Sequence, residues 1–385
     1  MLSLLCLALG NFALGTGAFV IAGVLPQIGG DLGVDAPQAA LLMTVFALVY
    51  AFFGPPMAAF TGGFDTRRLA LWALGVYAVA TAAAIVMPGY WSVLATRVVA
   101  GLGAALYSPL AAALAVSTQA PERRGRGLAF VAGGIALSNV IGVPLGTWLG
   151  GAYGWRASFG LVAALTAVAA IGLLLTLPGN MKRAQLPLAK LVRVALRGHV
   201  LVTALVTLLW SASGFVVFTF IVPLLTEAGR AEHHQISVIL FLYGVAAFGA
   251  TTLSGRLIDR FGPTRVVLVA LPFTVATQMT MSLLFRAPPE TALVIAGVTM
   301  CVWGLAGWTI YPAQQARLYN VAPEAGALLL SINASALYFG IGLGSALGGA
   351  VLRVWSVAEL GFVAAGLSVL SGALLLFSTG RPKKL

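Results

Sequence analysis

Arg97 lies in TRVVAGLGAALYSP, a few residues inside a long apolar run, and none of the ten carboxylates falls in the middle of such a run. A charge within a bilayer is costly and marks substrate, ion or proton chemistry. Three roles are open to it. Arg97 binds a solute carrying negative charge. It is satisfied by backbone carbonyls or by Gln27, with transport coupled weakly or not at all. Or Asp31, just past the end of the first apolar run, reaches it and titrates. No imidazole replaces the missing acid, because His199, His233 and His234 fall near run ends or in loops. Tyr90 and Trp91 read as an interfacial aromatic belt, about 9 Å from Arg97 along a helix, so snorkelling is the competing structural reading.

Other chemistries lack their residues. The chain has no H-E-x-x-H, no paired carboxylates inside an apolar run, no cysteine–histidine arrangement and no phosphate-binding loop of the G-x-x-x-x-G-K-[ST] type. A membrane-embedded enzyme and an ATP-driven pump are therefore disfavoured. A transport-fold sensor would need an output domain, and the tail RPKKL supplies none. Cys6 and Cys301 both sit in apolar runs and read as free thiols. No cofactor and no metal are expected.

The elements that must position Arg97 follow from composition. The 385 residues are 60% hydrophobic and 8% charged, with a mean hydropathy of +1.00. A water-soluble domain cannot hide that much apolar surface. The runs are continuously apolar over about 20 residues, which predicts an all-α membrane protein rather than a barrel. Twelve spans are predicted, at 3–25, 38–60, 69–87, 91–116, 127–149, 157–177, 200–224, 236–254, 265–285, 291–312, 326–350 and 359–378. The opening MLSLLCLALGNF has no basic leader region and reads as the start of span 1. The chain divides as an N-terminal bundle at 1–177, a surface linker at 178–198 and a C-terminal bundle at 199–385. Lys182, Arg183, Lys190, Arg193 and Arg197 suit the linker to anionic lipid.

The net charge of +12 sits in loops between spans, which is the membrane-topology pattern and not a nucleic-acid footprint. With the N-terminus inside, 17 Lys and Arg fall on the cytoplasmic side and four outside, namely Arg156, Arg230, Arg286 and Arg353. Both termini are thus expected in the cytoplasm.

An internal repeat is visible. TGGFDTRR (61–68) matches GRLIDRFGPTR (255–265), with Asp65 and Asp259 194 residues apart. YSPLAAALAVSTQAPE (107–122) matches YPAQQARLYNVAPE (311–324), 202 apart at its shared Ala-Pro-Glu. GVPLGTWLGG (142–151) matches GIGLGSALGG (340–349) at 198. Two pseudo-symmetric six-helix halves are the architecture such spacing predicts, as in rocking transporters. In the loop motif, Gly255 permits close helix approach, and Asp259 can accept from the start of a neighbouring helix and pair with Arg260 or Arg265. The first copy is decayed, with Thr61 in the place of Gly255 and Thr66 in the place of Arg260, so Asp65 and Arg68 are expected to hold more weakly.

These segments give the chain its resemblance to the major facilitator superfamily, and within it to the drug:proton antiporter branch of arabinose-efflux-like and purine-efflux-like permeases. The resemblance rests on GTGAFVIAGVLPQIGGDLGV (15–34), the two loop motifs, R-x-x-x-G-x-G-A-A (97–105) and GGIALSNVIGVPLGTWLGG (133–151). It implies a secondary transporter exporting a small organic solute by alternating access, such as a drug, a purine or nucleoside, or a sugar-like compound, with protons as the candidate coupling ion. An uncoupled facilitator or an importer is the alternative. It implies that the loop motif stabilises an outward-facing state, that Arg97 takes part in coupling, and that Gly142, Pro144 and Gly146 belong to the motif distinguishing exporters. The branch often places an acid in span 1 where Ala18 stands here. The resemblance further implies that the binding site is lined from spans 1, 4, 7 and 10, helped by 2, 5, 8 and 11. Polar and aromatic candidates there are Asn11, Tyr50, Tyr107, Asn139, Trp210, Tyr243, Trp303, Trp308, Asn333 and Tyr338. Asparagine is costly in lipid, so its three members face protein or water, as substrate contacts or as interhelical glue. The rings suit stacking on a flat solute, with plain packing as the competing role. A functional monomer in the inner membrane is expected.

Overall fold

The computed structural model describes residues 1–60, 63–120, 123–179, 193, 196–321 and 326–379. Among them, twelve helices are long and apolar enough to cross a membrane. In order, spans 1 to 6 are Leu2–Leu32, Ala36–Met57, Thr66–Val86, Tyr90–Ser117, Arg126–Tyr153 and Trp155–Thr176. Spans 7 to 12 are Gly198–Phe218, His233–Phe261, Pro263–Arg286, Pro289–Asn320, Leu329–Val354 and Val357–Phe377. A bilayer offers the backbone no water, so continuous apolar sequence of this length satisfies itself as helix. Large apolar side chains such as Val79, Trp91 and Leu175 stay exposed on the outer faces.

The chain divides into two compact units, Met1–Leu188 and Ala189–Leu385. In the first, span 4 packs on 2 and 3, span 6 on 1 and 3, and span 5 on 1. In the second, span 10 packs on 8 and 9, span 12 on 7 and 9, and span 11 on 7. Each pairing recurs six spans later. The segment expected to form a surface linker, 178–198, lies mostly outside the described residues.

Several span ends differ from the sequence expectation, each for a backbone reason. Span 1 continues to Leu32, through Pro26. Proline cannot donate to the carbonyl four residues back and crowds it, and the strain is taken up at Val24 (φ −120°, ψ 16°), after which the helix resumes. Span 7 stops at Phe218 instead of near 224, and a separate helix, Ile221–Gly229, follows. Pro223 has no N–H for the Thr219 carbonyl, so the helix breaks there. Span 8 runs on to Phe261, and Gly262 at φ 80° makes the turn into span 9. Gly154, at φ 85°, similarly joins spans 5 and 6 through a single residue. That tight turn delivers Trp155 and Arg156 to the end of span 1.

Candidate functional site

Arg97 is 1% exposed, so it does not snorkel. Its Nη2 donates to the Gly17 carbonyl of span 1 (2.9 Å) and its Nε to the Leu42 carbonyl of span 2 (3.4 Å). The guanidinium carbon lies 4.5 Å from the centre of the Phe46 ring and 5.6 Å from that of Phe159. Spans 1, 2, 4 and 6 therefore converge on one cation, satisfied by carbonyl dipoles and ring quadrupoles. Nη1 has no hydrogen-bond partner. Of the three roles open to Arg97, this geometry is the one built on backbone carbonyls. Gln27 takes no part, since both of its amide atoms are buried without a partner. Next to Arg97 stands Tyr77 of span 3, which the sequence reading passed over. A Cβ at Gly17 would overlap its hydroxyl, and that hydroxyl too is buried without a partner.

Asp31 does not reach Arg97. It is ion-paired with Arg156 and accepts from the Trp155 indole (2.9 Å). Arg156 also donates to the Ile85 (2.8 Å) and Met87 (3.3 Å) carbonyls and stacks on Trp155. Asp31 thus ties the ends of spans 1, 3 and 6 together. The tight turn at Gly154 makes Arg156 available to it, so a nearer cation takes the carboxylate that the third role needed.

The asparagine and tyrosine candidates of the first unit serve mainly between helices. Asn11 donates to the Val131 carbonyl of span 5 (3.0 Å), while its Oδ1 stays buried and unpartnered. Tyr107 donates to the Leu7 carbonyl (3.0 Å), made reachable by Gly10, where a Cβ would overlap the phenol. Tyr50 is buried on span 2. Asn139 donates within its own helix to the Ile135 carbonyl (3.3 Å). Gly142 and Gly146 let span 5 close on span 1, where Cβ atoms would overlap Thr16 Oγ1 and meet Val20 Cγ2 at 2.5 Å. Just before Pro144, span 5 contains a single π turn, Ser138–Gly142. The second unit repeats the close approach at Gly340, Gly344 and Gly348 of span 11 against span 7.

The loop motifs hold in the opposite order of strength from the expectation. Asp65 stands immediately before span 3 and caps it, accepting from the backbone N–H of Arg67 (2.9 Å) and Arg68 (3.3 Å). The Arg68 side chain approaches its carboxylate at 3.8 Å, and Arg67 reaches the Leu174 carbonyl of span 6 (2.6 Å). Asp259 and Arg260 sit inside the last turns of span 8, where the backbone N–H groups are already used. Asp259 is exposed and bonds to no described residue, and Arg260 packs over Phe261. A Cβ at Gly255 would meet nothing within 4 Å, so this glycine does not serve a close helix approach.

In the second unit, Tyr243 and Trp303 cluster with Phe218, their ring centroids 5.4–6.5 Å apart. Trp210 flanks the group beside Gly307, and Trp308 donates to the Tyr243 hydroxyl (2.9 Å). Tyr338 is buried on span 11. Asn333, fully buried, accepts from Thr207 of span 7 (2.8 Å), which in turn accepts from Gln314 of span 10 (3.3 Å). A second buried knot joins Ser213, Gln278 and Ser368 of spans 7, 9 and 12. The sequence reading missed Tyr77, Thr207, Gln314 and Gln278. Thr207, Gln314 and Gln278 share one signal, a polar atom in mid-span, which was weighed for asparagine and not for glutamine or threonine, while Tyr77 lies on span 3, outside the spans taken to line the site. Among the described residues, no three His, Cys, Asp or Glu side chains are grouped to hold a metal.

Comparison with known proteins completes the picture. A family model described as the Major Facilitator Superfamily matches residues 7–325 and 204–385. The inner membrane transport protein YdhP of Escherichia coli (strain K12) is 30% identical, over 98% of this chain and 96% of its own. A chloramphenicol resistance protein of Streptomyces lividans is 33% identical over 74% of each chain. The crystal structure of a bacterial homologue of the human lysosomal transporter Spinster, inward-facing and occupied, covers 98% of this chain and 96% of its own with a TM-score of 0.76 at 17% identity, a likeness of fold.

Proposed function

The chain belongs to the major facilitator superfamily, and from that premise we propose that it exports a small neutral organic solute by alternating access, with phenicol-type compounds as the first class to try. The observation that carries the reading is the charge inventory of the spans. Every described carboxylate lies at a span end or between spans, and the embedded cation Arg97 is held by carbonyls and rings. A cationic solute crossing a low-dielectric interior needs an embedded anion to offset its desolvation. A neutral solute does not. The chloramphenicol resistance protein among the relatives supports the same class. The excess of Lys and Arg on one side supports cytoplasmic termini in an inner membrane, and the working unit is a monomer.

Proton antiport is the form of coupling the family branch suggests. A second reading, uncoupled facilitation, draws on one feature: among the described residues, no carboxylate stands beside Arg97 to carry a proton. Counterflow of radiolabelled chloramphenicol in proteoliposomes separates the two. Antiport requires that an imposed pH gradient drive uptake against the solute gradient. Exchange that is indifferent to pH supports the facilitator. No saturable exchange of any phenicol, sugar or purine would overturn the transport reading.

A further inference from the structure

The π turn in span 5 has a consequence for ligand binding. In an α-helix each carbonyl accepts from the N–H four residues on, and in a π turn from the N–H five residues on. Here the Val143 N–H goes to the Ser138 carbonyl. The Asn139 carbonyl is thereby deprived of its α donor, Val143. Its π donor would be residue 144, and Pro144 has no N–H. No described side chain donates to it either. The same residue carries a second free acceptor, because its Nδ2 is spent on the Ile135 carbonyl and its Oδ1 receives nothing from the described residues.

Two acceptors on one residue, with no donor, are costly in the middle of a membrane span. The residue that carries them also lies away from the exposed face of the helix. Leu137, Ile141 and Leu145 form the exposed face of this stretch at 39%, 45% and 40%, whereas Asn139, on the opposite side, is 4% exposed. Pro144 and the π turn thus hold open an acceptor pair that an ordinary helix would close. Two neutral oxygens and no carboxylate match hydroxyl or amide N–H donors and fall short of the shell a metal cation requires.

We propose that the π turn of span 5 is a substrate-binding element, in which the Asn139 carbonyl and side-chain oxygens accept hydrogen bonds from hydroxyl or amide N–H groups of a neutral solute. This rests on the reading of the chain as a transporter of neutral solutes. Chloramphenicol, with two hydroxyls and an amide N–H, is the probe. The full chain in detergent is titrated with radiolabelled chloramphenicol, in competition with an analogue in which both hydroxyls are replaced by hydrogen. The wild type is expected to prefer chloramphenicol by about tenfold, since a buried acceptor left unpaired by the analogue costs roughly one decade in affinity. Asn139→Leu removes the side-chain oxygen, and Pro144→Ala supplies an N–H that can occupy the vacant carbonyl. Each should lower the preference, and the double variant should bring it to about one. Equal binding of the two compounds by the wild type, or an unchanged preference in both variants, overturns the inference while leaving the transport reading intact. Failure of the wild type to bind either compound overturns the inference together with the choice of phenicols as the solute class, while the transport reading falls only if no phenicol, sugar or purine exchanges.

Discussion

Gly17→Ala should destabilise the first unit, and Tyr77→Phe should rescue it. An added Cβ at position 17 would overlap the Tyr77 hydroxyl, and its next neighbours, Val162 Cγ1 and Tyr77 Cζ, stand at 3.0 and 3.4 Å. The phenol is held among packed helices and cannot simply swing clear, so spans 1 and 3 must part by a few tenths of an ångström. Overpacking of this kind costs about 1–3 kcal/mol, against a gain of at most about 1 kcal/mol from replacing glycine within a helix. Parting the spans also stretches the bond from Arg97 to the Gly17 carbonyl. Tyr77→Phe alone removes a buried hydroxyl that has no partner, so its cost should lie within about 0.5 kcal/mol of zero. With the hydroxyl gone, the remaining distances are tolerable, and the double variant should recover about 1–2 kcal/mol relative to additivity. Thermal unfolding of the four proteins in one detergent, followed by loss of the monodisperse peak, reads this out. Gly17→Ala should lower the midpoint by roughly 2–8 °C, at about 2–4 °C per kcal/mol for a unit of this size, and the double variant should return most of it. Strict additivity would refute the proposed contact between Gly17 and Tyr77.

Three further outcomes follow from the same geometry. Arg97→Met should abolish transport yet shift stability by only about 1–2 kcal/mol, because the lost hydrogen bonds and ring contacts are offset by the relieved burial of charge; a large loss of stability by thermal unfolding would contradict this. Asp65→Ala should cost about 1 kcal/mol through the lost cap of span 3, whereas Asp259→Ala should leave the unfolding midpoint unchanged, so equal losses would refute the different roles assigned to the two loop motifs. Gly340→Ala should break the contact of spans 7 and 11, since its Cβ would overlap backbone as well as Ser211, while Gly133→Ala, with nothing within 4 Å, should be neutral or stabilising by up to about 1 kcal/mol. Expression and midpoint measured side by side test that contrast.

The number of spans, the repeat and the weight placed on Arg97 were legible because each is written locally, as an apolar run, a matched segment or a charge out of place. Span ends were less so. Pro26 and Pro312 lie inside helices that continue, since flanking apolar residues in a packed membrane bundle absorb the defect, whereas Pro223 does end one. Backbone carbonyls were one of the readings open for Arg97, yet which carbonyls and rings hold it could not be read. The Gly17 and Leu42 carbonyls carry no side-chain signature, and Phe46 and Phe159 look like any other apolar residues. Asp31 was only one of three candidate answers to Arg97, and its actual partner, Arg156, 125 residues away, had been counted as a loop charge. The π turn was half legible. Pro144 announced a disturbance in span 5, yet which carbonyl is left without a donor depends on how Val143 bonds.

Accumulation of chloramphenicol and of a permanently cationic dye, in cells expressing the wild type or Arg97→Ala, tests most directly whether the spans carry a neutral solute without an embedded acid. The wild type should lower chloramphenicol accumulation, Arg97→Ala should not, and neither should alter the dye. Robust export of the dye by the wild type would contradict the reading, because no described carboxylate stands in the middle of a span to accompany a fixed positive charge.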